Sequence, residues 1–155
     1  MASVQLSDVS FGYGEYALFS KLTLELAEGK VTSIIGPNGC GKSSLLKLAS
    51  GIRKPWKGSI SVMGRDVSVL SSKERARLLS LLTQEHAAPP MSVRRLVACG
   101  RYPHHGILAT MDAADYEAVE RALEACRLAD LAERPVAELS GGQRQRAFIA
   151  MVLAQ

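Results

Sequence analysis

The stretch "GPNGCGKS", residues 36–43, decides how the rest of the chain is read. It fits G-x-x-x-x-G-K-[ST], and it lies between an apolar run, "KVTSIIG", and a stretch of helical spacing, "CGKSSLLKLASG". Strand before and helix after is the context this motif requires. Gly36, Gly39 and Gly41 let the backbone curl through positive φ and approach a ligand closely. Successive N–H groups of Gly36, Pro37, Asn38, Gly39, Cys40 and Gly41 (proline excepted) then form an anion nest, backed by the positive end of the next helix. Lys42 reaches the β- and γ-phosphates, the Ser43 hydroxyl can ligate Mg²⁺, and Ser44 extends the turn. A chain of this length matches the pattern by chance about once in 200. The reading is therefore a nucleoside triphosphate site, with Cys40 as a packing residue within it.

Outward from that loop, the N-terminal side alternates. "SVQLSDVSF" and "KLTLELAEG" carry apolar residues at every second position, as antiparallel strands with one wet face do. "KVTSIIG" is expected as a buried parallel strand, and Gly51 as the C-terminal cap of the helix after the loop. "GSISVMG" reads as a short strand, "SSKERARLL" as a helix opened by serine, and "SLLTQ" as a second parallel strand. After Gln84 the character changes. "EHAAPP" breaks the chain, and residues 92–134 are helical in pattern, most clearly "DAADYEAVERALEACRLADL". The expected fold class is thus α/β. The expected division is residues 1–85 as β subdomain and N-terminal part of a nucleotide-binding core, 86–138 as helical subdomain, and 139–155 as a further motif and helix.

The bulk numbers exclude more than they select. With 155 residues, 47% hydrophobic and 22% charged, the chain is ordinary globular material. A net charge of +4 permits an acidic ligand without naming one. Three cysteines with no CxxC pair argue for a reducing compartment. The N-terminus lacks a signal-peptide pattern, and no apolar run reaches the length of a membrane span, so a cytoplasmic protein is expected.

"LSGGQ", residues 139–143, is a second motif. Ser140 with Gln143 three residues on is a capping-box pattern, and a capped helix start preceded by glycines also offers N–H donors to an anion. The two readings are compatible. Together, "GPNGCGKSSLLKLASG" and "LSGGQRQR" resemble the phosphate loop and signature motif of the nucleotide-binding domains of ATP-binding cassette proteins. Two further positions match that family. Tyr13 in "FGYG" stands where the family stacks an aromatic on adenine. Gln84 stands where its glutamine-loop residue contacts Mg²⁺ and the attacking water.

What the resemblance implies is a P-loop NTPase core with an N-terminal antiparallel β subdomain and a helical subdomain. Two such domains face head to tail, with ATP and Mg²⁺ between the phosphate loop of one and Ser140, Gly141, Gly142 and Gln143 of the other. A transmembrane permease docks near Gln84 and the helical subdomain. "MSVRRLVACGRYPHHGIL" resembles importers of ferric siderophores, haem and cobalamin, which implies a peripheral subunit on the cytoplasmic face, an indirect periplasmic or extracellular substrate-binding partner, and no nucleic acid. The competing expectation is a soluble cassette ATPase acting on nucleic acid or ribosomes, or an inactive gene remnant. His104 and His105 are read as surface residues rather than metal ligands. In the family the signature helix leads to a catalytic glutamate and a switch histidine, neither of which is in the sequence. The apolar "AFIAMVLAQ" carries no capping glycine or asparagine. The expectation is the N-terminal portion of a longer domain, with an incomplete sheet and negligible hydrolysis by these residues alone.

Overall fold

The structure is a computed structural model and describes residues 2–83, 87–105 and 110–155. It divides into two compact units, Met1–Leu81 and Leu82–Gln155.

The first unit is built on a hairpin of two long strands, β1 (Ala2–Tyr13) and β2 (Tyr16–Ala27). They meet at a two-residue turn in which Gly14 takes φ 57°. β3 (Lys57–Val62) and β4 (Arg65–Asp66) complete an antiparallel sheet of order β2-β1-β3-β4. The buried residues of β1 are Val4, Leu6, Val9 and Phe11. The step from 6 to 9 breaks strict alternation, and a bulge repairs it. The β1–β2 register shifts between Leu6 and Val9, with Asp8 at φ 50°. One extra residue there returns Val9 and Phe11 to the core face. Gly58 fits against the bulge: a Cβ on it would stand 2.4 Å from the Ser7 carbonyl oxygen.

Helix α1 (Lys42–Ala49) lays Leu48 and Ala49 into the same core as Ile60 and Val62. Its end is closed by Gly51 at φ 68°, whose N–H donates to the Leu48 carbonyl at 2.9 Å. Helix α2 (Ser72–Leu78) begins at Ser71 with a complete capping box to Glu74. These elements follow the sequence expectation closely.

Two expected elements are not formed. Residues 30–36 and the described part of 80–84, read from sequence as parallel strands, carry no strand structure. Val31 is 98% and Ile35 92% exposed. A parallel strand needs a neighbour for its ladder and cover on both faces. Among the described residues no strand runs beside either segment: Val31 and Ile35 lie in solvent, while Ile34 and Leu81 are half-buried and Leu82 packs against the helical core.

The second unit is helical. It comprises α3 (Val93–Ala98), a 3₁₀ segment (Cys99–His104), α4 (Ala113–Ala125), two short 3₁₀ turns (Ala129–Leu131 and Val136–Glu138) and α5 (Gly141–Ala154). Asp112 caps α4 in a box with Asp115. The core gathers Val93, Val97, Val119, Leu123, Leu128, Val136, Ala147, Phe148 and Ala150. Helix α5 is covered on that side, while Ile149 is 38% and Leu153 59% exposed. No helix among the described residues is long and apolar enough to cross a membrane.

Candidate functional site: a phosphate loop and a glycine-led helix start

The phosphate loop is curled around its own lysine. The Lys42 ammonium donates to the carbonyls of Gly36 at 2.8 Å and Pro37 at 2.7 Å, and lies 3.9 Å from Cys40 Sγ. Gly39 at φ 82° and Gly41 at φ 97° hold left-handed conformations that side chains resist. The loop is also seated: a Cβ on Gly41 would stand 2.7 Å from Phe19 Cζ, on β2. Gly41 caps α1 without a side chain, and no acid lies in the first turn of that helix. The N–H groups of the helix start thus keep their capacity for an external anion.

Residues 36–40 and Ser43 are exposed. Cys40 is exposed too, which corrects its reading as a packing residue. Its Sγ stands beside Gly36 and the Lys42 ammonium and not in a packed core. Ser44 differs from Ser43. It is buried, and its hydroxyl lies 3.0 Å from the Tyr13 hydroxyl.

That bond brings Tyr13, at the end of β1, to the start of α1. Tyr13 remains 48% exposed. The Phe11 ring stands 5.2 Å from it at 77°, and the Arg53 guanidinium lies over it at 5.9 Å from the ring centre. Trp56 continues the aromatic group at 6.3 Å from Phe11. Arg53 and Trp56 were not legible in sequence, because a contact between a strand end and the loop after a helix leaves no periodic trace.

The donor set suits a polyphosphate: backbone N–H groups, an ammonium and an exposed hydroxyl. Mg²⁺ takes few protein oxygens and completes its shell with phosphate and water, so Ser43 alone is a sufficient protein ligand from this loop. Gln84, the other expected ligand, lies outside the described residues. Among the described residues no group of three or more His, Cys, Asp or Glu could hold a metal.

In the second unit, Ser140 caps α5. Its hydroxyl oxygen accepts from the Gln143 N–H at 3.3 Å, and Gln143 Oε1 accepts from the Ser140 N–H at 2.9 Å. Gln143 is therefore occupied by capping. Gly141 and Gly142 need explaining. Neither takes positive φ, and a Cβ on either would meet no atom within 4 Å. The fold does not require glycine there, yet glycine at a helix start weakens it. Two bare, exposed N–H groups at the head of a 14-residue helix are what a closely approaching anion needs.

The segment "GRYPH" has a different role from the one its sequence suggests. His105 is largely buried, with Nε2 2.7 Å from Asp115 Oδ2 and its side chain 13% exposed. His104 Nε2 lies 2.5 Å from the Gln155 carbonyl oxygen. These contacts correct the surface reading for His105, while His104 is exposed as expected. Arg101 Nε donates to Asp115 Oδ1 at 2.8 Å, and its Nη1 donates to the Ala154 carbonyl at 2.6 Å. A Cβ on Gly100 would stand 2.1 Å from the Met151 carbonyl oxygen. The 3₁₀ segment is thus held against α5. Burial alone would raise the Asp115 carboxyl. The Asp112 backbone N–H, Arg101 and His105 outweigh it and hold that carboxyl well below the usual range.

Comparison with known proteins agrees with these two motifs. The profile described as "ABC transporter" matches residues 19–155. The chain is 46% identical over its whole length to "Probable siderophore transport system ATP-binding protein YusV" of Bacillus subtilis (strain 168), covering 57% of that protein. It is 44% identical, again over its whole length, to "Ferric enterobactin transport ATP-binding protein FepC" of Escherichia coli (strain K12), covering 58% of it. The chain thus spans somewhat more than half the length of these relatives. The solved structure of cbiO1 from Clostridium perfringens, part of the ABC transporter complex cbiONQ, superposes with a TM-score of 0.83 at 25% identity. That match covers 99% of this chain and 61% of the other. A curled phosphate loop, a capped glycine pair on a second unit and a profile match from residue 19 onward have one common explanation: the chain belongs to the ABC transporter family.

Proposed function

We propose that this chain is the N-terminal portion of an ATP-binding subunit that couples ATP binding and hydrolysis to membrane import, with a ligand of the iron-siderophore type. The observation that carries the nucleotide part is the loop at 36–43, closed around Lys42 and set at the bare head of α1. The names and identities of the relatives support the import part.

In this reading residues 1–85 supply the base platform and phosphate cradle, residues 86–138 the helical subdomain, and residues 139–155 the signature motif and its helix. Tyr13 stacks on adenine. Gly36, Pro37, Asn38, Gly39, Cys40 and Gly41 wrap the phosphates, Lys42 neutralises the terminal ones, and Ser43 and Gln84 hold Mg²⁺. The metal supplies charge neutralisation on the phosphate oxygens. Lys42 must leave the Gly36 and Pro37 carbonyls to reach phosphate. That exchanges two neutral acceptors for charged ones, so the step is favourable. Ser140, Gly141 and Gly142 of a second copy meet the γ-phosphate from the other side, in a head-to-tail homodimer, with Gln143 completing that nucleotide-binding helix start through its cap. ATP then favours the closed pair and its hydrolysis releases it, a population shift that permease subunits can use. The catalytic glutamate and switch histidine of the family lie outside the sequence, so hydrolysis is proposed for the full domain and not for residues 1–155 alone.

The subunit sits on the cytoplasmic face of the membrane through its permease, and an external substrate-binding protein acts on it only indirectly. Affinity purification of the full-length gene product tests this. The expected result is co-purification with an integral membrane permease, without nucleic acid or ribosomes. Recovery with ribosomes or nucleic acid and no permease would overturn it in favour of a soluble cassette ATPase.

A further inference from the structure

We infer that Arg53 and Tyr13 are the two walls of a slot for the purine base of a nucleoside triphosphate, with Arg53 selecting for a stacked base rather than for phosphate charge. The inference rests on the reading of Tyr13 as the base platform and adds a second wall to it.

Three observations support it. First, Arg53 is delivered to the ring by a pinned segment. Its backbone N–H donates to the Lys47 carbonyl at 3.0 Å, at the end of α1, and the Trp56 N–H donates to the Ser10 carbonyl at 2.8 Å, on β1. The Trp56 ring lies against Gly12, where a Cβ would stand 2.6 Å from Cη2. Residues 53–56 therefore bridge the helix that carries the phosphate loop and the strand that carries Tyr13.

Second, the separation is close to that of an open slot. The guanidinium carbon is 5.9 Å from the Tyr13 ring centre. A base between two flat groups needs two stacking distances, about 6.8 Å at the stacking spacing of nucleic-acid bases. The guanidinium must withdraw by roughly 1 Å, which a side chain as long as arginine does by small rotations. Arg53 is exposed, and among the described residues no carboxylate pairs with it. At close to 6 Å the cation–π contact it gives up is near its outer limit, and the base offers a larger aromatic face in exchange.

Third, the other wall is held in place by its neighbours. The Tyr13 hydroxyl is tied to Ser44, two residues beyond Lys42, and Phe11 stands against the ring. Base slot and phosphate cradle are thereby held at a fixed spacing. A planar guanidinium stacks on a base as an ammonium cannot, so the device discriminates by shape as well as charge.

The experiment is displacement of a ribose-labelled fluorescent ATP from the full-length gene product, by ATP and by inorganic tripolyphosphate. Arg53→Ala is expected to weaken ATP about fivefold to thirtyfold, in the range of a lost base-stacking partner, with tripolyphosphate unchanged. Arg53→Lys is expected to recover only part of that loss. Equal losses for ATP and tripolyphosphate, or full recovery with lysine, would make Arg53 a phosphate-charge residue and overturn the slot. Tyr13→Ala separates the two levels. If it weakens ATP selectively while Arg53→Ala does not, only the second wall falls. If it leaves the ATP-to-tripolyphosphate ratio unchanged, the base is not at Tyr13 and the site reading falls with it.

Discussion

Gly141 and Gly142 pose the sharpest question at the scale of single residues, because nothing in their surroundings requires glycine. Alanine is the better helix former by up to about 1 kcal/mol per site. The double substitution Gly141→Ala, Gly142→Ala is therefore expected to leave the melting temperature unchanged or raised. On the proposed head-to-tail closure, the same methyl groups stand where the γ-phosphate of a partner's nucleotide must come. ATP-dependent dimerisation of the full-length product is then expected to be lost. Sedimentation with and without ATP, beside a thermal melt, reads both. A variant that melts lower and still dimerises would mean the glycines serve the fold after all. The phosphate loop teaches the converse. Gly39 and Gly41 are glycines for conformational reasons visible in the backbone itself, and these were legible from the motif.

At the scale of elements, sequence patterns with a local cause were legible and those with a distant cause were not. The capping boxes at Ser71, Asp112 and Ser140 lie within four residues of chain, so the starts of α2, α4 and α5 could be read directly. The bulge at Asp8 was missed, because strict alternation was assumed through a step of three. The clamp on α5 was missed as well. Arg101, Asp115 and Ala154 are far apart in sequence, and "GRYPH" looks like a surface turn until Asp115 closes it from α4. Asp115 yields a prediction at this scale. Folding lowers its carboxyl through Asp112, Arg101 and His105, so the unfolded chain takes up the proton first as pH falls. Its contribution is whole above the ordinary carboxylate value of about 3.9, declines below it, and is gone only once pH has fallen through the depressed folded value. Asp115→Asn is expected to lower the melting temperature by several degrees at pH 7 and to flatten the dependence below about pH 4. An unchanged acid limb, measured by circular dichroism melts across that range, would show that other carboxyls carry it.

For the molecule as a whole, the antiparallel sheet and the helical unit are present, while the segments at 30–36 and the described part of 80–84 lack the strand structure their composition favours. Their apolar character was read correctly, but strand pairing is a property of partners. A sequence motif names the strand and not its neighbour. The phosphate loop nonetheless closes, because its geometry is set by Gly39, Gly41 and the seat on β2 and not by a ladder.

Everything proposed for this loop depends on its binding a nucleoside triphosphate through Lys42. Calorimetric titration of Mg²⁺-ATP into the full-length gene product and its Lys42→Ala variant tests it most directly. One saturable site per chain is expected, weakened about tenfold to a hundredfold or more by the substitution, as loss of charge-assisted contacts to phosphate implies. Equal affinity in the two proteins, or no binding by either, would contradict it.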